Sequence, residues 1–112
     1  MIIMVSSNGN NLESQTNPRF GRTTWFIKYD TDQETWEAFE NQAVSQRGGA
    51  GIAAAQFLID QGVQAAISGH FGPNAHQALS AGGIEMYTFN NEQKTVQEVI
   101  AVFQAGDLNK VD

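Results

Sequence analysis

The chain has 112 residues, the size of a single domain. It holds no cysteine, which excludes disulfides, thiolate-held iron–sulfur clusters and Cys-type zinc sites. The formal net charge of −6 argues against non-specific nucleic-acid binding, although an acidic total leaves room for a local basic pocket. Apolar residues make up 41% of the chain, more than a disordered segment carries. No run approaches the roughly 20 apolar residues of a membrane span. The opening residues, Met1 to Asn11, lack the basic segment of a secretory leader. The expectation is a cytoplasmic protein with no nucleic-acid or membrane partner, a monomer or weak dimer.

Met1 to Val5 is a continuous apolar run that suits a buried central strand. Ser6 to Asn17 is polar, contains Gly9 and reads as a loop, and Pro18 to Arg22 (PRFGR) is a compact turn. Thr23 to Asp30 reads as a strand with Trp25, Ile27 and Tyr29 on one face and Phe26 on the other. Turn chemistry at Asp30 to Gln33 leads to a second strand over Thr35 to Asn41, forming a hairpin. A long loop ends in Arg47-Gly48-Gly49-Ala50-Gly51. Ile52 to Gln61 is then a helix, apolar nearly all round and expected to be heavily buried, with Gly62 at its C′ position.

Val63 to Ile67 is a strand of the parallel type, followed by the turn Ser68 to Gly72 (SGHFG). Pro73 opens the next helix at its first position, and Gly82 stops it. Ile84 to Phe89 is the last strand. Thr95-Val96-Gln97-Glu98 matches a capping box. Val96, Val99, Ile100 and Phe103 follow the spacing of an amphipathic helix that ends at Gly106. The order βββαβαβα predicts one α/β domain over residues 1–112, with a mixed sheet and helices on its faces.

In such sheets ligands bind beyond the carboxyl ends of the strands. Three loops qualify: Ser6 to Asn11, Arg47 to Gly51 and Ser68 to Asn74. The last two lead into helix N-termini, whose unpaired N–H groups and dipoles favour anions. The chain's three arginines, Arg19, Arg22 and Arg47, all fall in the two Gly-containing loops PRFGR and RGGAG, whereas the lysines are at 28, 94 and 110. These arginines either solvate the surface or, where the loops meet, line an anion pocket. Gly48-Gly49-Ala50-Gly51 has neither P-loop nor G-x-G-x-x-G spacing, so a nucleotide site by either motif is unsupported and a tight turn with close helix–sheet packing accounts for it as well. His70, between a strand and a helix, is either a metal ligand or a packed loop residue. His76 is taken as exposed. No Ser-His-Asp pattern or G-x-S-x-G is present, and no catalytic residue is assigned.

Taken together, Asn17-Pro18-Arg19-Phe20-Gly21-Arg22, Gly48-Gly49-Ala50-Gly51-Ile52, Ser68-Gly69-His70-Phe71-Gly72-Pro73-Asn74-Ala75 and the final helix, with Thr95-Val96-Gln97-Glu98 at its start and Gly106-Asp107-Leu108 at its end, resemble the dinitrogenase iron–molybdenum cofactor biosynthesis family. The resemblance covers nearly the whole chain in order. It implies a three-layer α/β/α, ribonuclease H-like fold with a mixed five-stranded sheet. It also implies non-covalent binding of an anionic metal–sulfur cluster or precursor, of Mo/Fe/S or Mo/Cu/S type, with cluster-assembly proteins as partners. The cofactor-binding positions it suggests are Arg19, Phe20, Gly21, Arg22, Arg47, Gly48, Gly49, Gly51, Ser68, Gly69, His70, Gly72 and Asn74, with His70 the candidate metal ligand. In one respect the chain departs from the family, many of whose members carry His where Arg19 stands here.

A ribonuclease H-like fold invites a nuclease reading, but the residues oppose it. Nucleases of that type hold two metal ions on several acids of the central strands and first helix. Met1 to Val5, Ile52 to Ile59 and Val63 to Gly72 contain none. The leading expectation is a non-enzymatic carrier for an anionic metal–sulfur cluster. The alternative is a protein-interaction or regulatory module of the same fold that binds no cluster.

Overall fold

In this computed structural model, which describes residues 1–90, 92 and 95–112, the first strand lies at the centre of the sheet. β1 (Ile2–Ser7) pairs antiparallel with β2 (Trp25–Asp30) and parallel with β4 (Ala65–Ser68). The hairpin partner β3 (Thr35–Glu40) flanks β2, and β5 (Glu85–Thr88) runs parallel to β4. A strand not foreseen from the sequence, β6 (Asn109–Val111), closes the far edge antiparallel to β5. The six strands lie in the order β3-β2-β1-β4-β5-β6, one more than the expected five. β6 escapes pattern reading because two of its three residues are exposed and only Val111 is partly buried.

Alternation along β1 divides the interior into two cores. Met4 joins Phe26, Ala66 and Met86 beneath α1 (Ala50–Asp60) and α2 (Pro73–Ala81). Ile3 and Val5 join Ile27, Tyr29, Ala65 and Ile67 beneath α3 (Val96–Gln104). The result is three layers, with Phe26 facing away from Ile27 and Tyr29 as the alternation requires. Asn91, Gln93 and Lys94 lie outside the described residues.

Several boundaries differ from those read in the sequence. β1 runs on through two serines that are fully buried. Their hydroxyls are satisfied there: Ser6 donates to the Asn17 carbonyl at 2.6 Å and shares a 2.8 Å bond with the Ser68 hydroxyl, while Ser7 donates to the Gly9 carbonyl at 2.7 Å. α1 begins at Ala50, two residues before the apolar run. Its buried residues are Ala50, Ala54, Ala55 and Leu58, and Ile52 stays 50% exposed, against the expectation of heavy burial all round. His76, expected to be exposed, is half-buried, with Nε2 2.8 Å from the main-chain oxygen of Asp112.

Candidate functional site

Two Phe-Gly loops meet at the carboxyl ends of β1 and β4. Arg19 forms an isolated parallel bridge with His70, and the Phe20 N–H donates to the His70 carbonyl at 3.3 Å. The buried Phe20 ring packs on Phe71 with centroids 5.2 Å apart, and on Phe26 at 5.4 Å. Gly69 permits the close approach: a Cβ there would lie 2.8 Å from both Cα and Cβ of Pro18.

A second line of small residues draws in the helices. A Cβ on Gly21 would stand 3.1 Å from the Gly51 Cα, and one on Gly51 would stand 3.2 Å from the Ala75 Cβ. The 3-10 turn Phe20–Arg22 therefore rests directly on the first turn of α1, and α1 rests on α2.

These contacts leave an open cleft of about 290 Å³ between the two Phe-Gly loops and the first turns of α1 and α2. Its lining includes Arg19, Arg22 and His70. None of the chain's twelve Asp and Glu residues lines it. Both helix ends that face it have glycine N-caps, Gly49 and Gly72, with no side-chain cap and no acid in the first turn. The first-turn N–H groups of a helix have no partner within the helix. Of the residues that line the cleft, Ala50 and Gly51 of α1 and Asn74 and Ala75 of α2 carry such groups, Pro73 having none to give.

The cations differ in role. The Arg19 side chain is exposed, while its main chain is fixed by the Asn17 Oδ1 at 2.9 Å. Arg22 is half-buried, and its Nη1 donates to the Val44 and Gln46 carbonyls at 3.0 and 2.6 Å. It ties down the loop that leads to α1 as well as lining the cleft. Displaced protonation equilibria lie away from the cleft: in the β2–β3 turn the Gln33 and Asp32 N–H groups hold the Asp30 carboxyl below its usual value, and others gather at the β5–β6 edge. There the Lys110 ammonium, with help from the Tyr87 hydroxyl, holds Glu85 below the usual carboxylate value.

The sequence profile of the dinitrogenase iron–molybdenum cofactor family matches residues 1–106. The chain belongs to that family. It is similar to the orange protein of Desulfovibrio gigas, solved in its apo form, with 33% identity and a TM-score of 0.93 over 98% of this chain and 92% of that one. It is also similar to a NifB-like protein from Thermotoga, with 35% identity and a TM-score of 0.85 over 97% and 91% of the two chains. An uncharacterised protein of Methanocaldococcus jannaschii is 28% identical over 102 residues, covering 88% of this chain and 85% of the relative.

Of the positions that the iron–molybdenum cofactor family resemblance suggested, the fold gathers Arg19, Phe20, Gly21, Arg22, Gly49, Gly51, His70, Gly72 and Asn74 around one cleft. Arg47 and Gly48 sit in the adjoining exposed loop and do not line it. Ser68 is fully buried against Ser6, and Gly69 lies against Pro18, so both support the cleft from behind. Ala50, Pro73 and Ala75 line it without having been singled out. The signal for them was available, since each occupies the first turn of a helix that follows a glycine loop.

Proposed function

We propose that this cleft receives an anionic metal–sulfur cluster or precursor, of Mo/Fe/S or Mo/Cu/S type, as non-covalently held cargo. The protein then acts in the cytoplasm as a non-enzymatic carrier serving cluster-assembly proteins. The observation that carries this reading is the acid-free cleft, flanked by two uncapped helix ends and Arg19, in a chain whose net charge is −6. Family membership and the likeness to the orange protein and a NifB-like protein support it.

Among the described residues no three His, Asp or Glu side chains gather as a metal site, and the chain has no thiol. The residues present therefore fit recognition of a whole anion better than coordination of a bare ion. Each helix end contributes roughly half a positive charge. Arg19 adds a full charge and a planar fork of donors, and Arg22 adds a second charge whose position the loop carbonyls fix. His70 offers a ring nitrogen at the cleft, to ligate a metal or donate to a sulfide. A ribonuclease H-like relationship concerns the scaffold alone, since fold does not carry function.

The test is anaerobic titration of the purified protein with tetrathiomolybdate, with and without Cu(I), followed by visible absorption and equilibrium dialysis. Saturable, stoichiometric uptake is expected, weakened about tenfold by Arg19→Gln through loss of a charge-assisted contact. No saturable uptake of either thiomolybdate or a reconstituted Mo/Fe/S species would overturn the proposal, as would unchanged uptake by the variant. Binding of an assembly protein by a form that takes up no anion would establish the interaction module instead.

A further inference from the structure

The hairpin edge of the sheet is rich in acids, although the Met1 ammonium pairs with Asp32 and Lys28 stands across from Glu37, and it exposes a large aromatic side chain. Residues 30–40 hold Asp30, Asp32, Glu34, Glu37 and Glu40, five of the chain's twelve acids, with no Lys or Arg among them. Trp36, in the middle of this stretch, is 43% exposed. It stands opposite Tyr29 on the α3 face, at the point where helix cover ends: Tyr29 is buried in that core, Ala38 is partly buried against it, and Trp36 lies beyond.

β3 is an outer strand, with β2 on one side and no strand on the other. The Asn41 N–H donates to the Thr24 carbonyl, so the alternation of an antiparallel ladder aims the main-chain groups of Thr35, Glu37 and Phe39 at β2. Those of Trp36, Ala38 and Glu40 point outward. Edges are kept from pairing by charged side chains, Pro or bulges, and acidic side chains repel another acidic strand while admitting a cationic one. This one is regular over six residues and carries a Trp.

We propose that β3 is a docking edge for an extended, Lys- or Arg-rich segment of a partner protein. The segment adds a strand to the sheet. Its main chain pairs with Trp36, Ala38 and Glu40, one cationic side chain lies over the Trp36 ring, and another on the same face meets Glu40. Charge selects this occupant over a second copy of the chain, because self-pairing would set the same carboxylates against one another. The docked segment runs along β3 toward Glu40, the loop held by Arg22 and the cleft. The proposal does not depend on what the cleft carries.

The probe is a synthetic heptapeptide of alternating Lys and Val, added to isotope-labelled protein, with amide exchange read by NMR. With saturating peptide the Trp36, Ala38 and Glu40 amides exchange more slowly, while those of Thr35, Glu37 and Phe39, already paired, change little. The exposed-site variant Glu37→Lys/Glu40→Lys weakens binding about tenfold or more, and salt weakens it in the wild type. A melting curve on the variant confirms that it is folded. Three results would each overturn the proposal: unchanged exchange at Trp36, Ala38 and Glu40; equal binding of a Glu-Val heptapeptide; or concentration-dependent dimerisation that protects these amides without peptide, which would assign the edge to a second copy.

Discussion

The N-terminus of α3 and those of α1 and α2 are built on opposite principles. α3 is closed within the chain: Thr95 Oγ1 accepts from the Glu98 N–H at 3.1 Å, Glu98 Oε1 accepts from the Thr95 N–H at 3.0 Å, and the Val96 and Gln97 N–H groups donate to the Ser14 and Leu12 carbonyls, both at 2.9 Å. α1 and α2 start from glycines with no side-chain acceptor, and both face the same cleft. A glycine N-cap forgoes about a few tenths of a kcal/mol against Ser, Thr or Asp. The chain closes one helix end and leaves two others without side-chain caps beside one cleft, where the proposed anion would meet them. On the proposed function, the difference separates a helix end that serves stability from two that serve the anion.

The largest effect on the open end should come from filling its closest approach. In Gly69→Ala the new methyl would lie 2.8 Å from two Pro18 carbons and 3.0 Å from the Pro18 carbonyl oxygen, with backbone rather than a flexible tip in the way. The two Phe-Gly loops must then separate. The expected loss is about 1–3 kcal/mol by urea denaturation, the range for overpacking, together with loss of thiomolybdate uptake. Full stability in this variant would mean that the contact between the loops is not what shapes the cleft.

Thr95→Ala should cost about 1 kcal/mol by removing the cap of α3, and leave anion uptake unchanged. Gly72→Asp should do the reverse. Gly72 has extended backbone angles, φ −67° and ψ 167°, and nothing lies within 4 Å of a Cβ placed there. An Asp would accept from the Asn74 or Ala75 N–H and raise stability by about a few tenths of a kcal/mol. The same carboxylate would occupy the donors assigned to the anion and repel it, so uptake should be lost. If both variants moved stability and uptake in the same direction, the division between closed and open ends would be wrong.

Much of this was legible in the chain. The capping box of α3, Pro73 at the start of α2 and the two faces of β2 follow from residue spacing and appear as read. The meeting of the two Phe-Gly loops could not be read, because it depends on β1 and β4 being neighbours. The anchoring of Arg22 left no mark either, since its acceptors are main-chain carbonyls and any residue supplies one. α1 starts early for a related reason: Gly51 looks like a loop residue, yet it lies in the helix's first turn, where a Cβ would press on the Ala75 Cβ at 3.2 Å. Ile52 read as core because periodicity ranks side chains by polarity, and it cannot tell that this first turn packs through its small residues instead.

The smallest expected effect lies at the other end of the sheet, where β6 is held by charge. The Lys110 ammonium donates to Glu85 Oε2 at 3.2 Å, and the Tyr87 hydroxyl donates to Oε1 at 3.1 Å. These bonds lower the Glu85 carboxyl below its ordinary value, and the Glu85 partner raises Lys110 above its own. Burial, then the bond to Glu85, raises the Tyr87 phenol, which keeps it a donor through the alkaline range. The carboxyl's contribution is complete above the ordinary carboxylate value and is lost as pH falls through the lowered one. The ammonium's is complete below the ordinary lysine value and is lost as pH rises through the raised one. Both groups are exposed, so solvent screens them and global unfolding should hardly move. Local exchange should move instead: after correction for intrinsic rates, the Asn109 to Val111 amides lose protection at both pH extremes, and Lys110→Met abolishes the acid-side change. If protection there were flat with pH, Val111 packing would be what seats β6, and this closed edge would owe nothing to its ion pair.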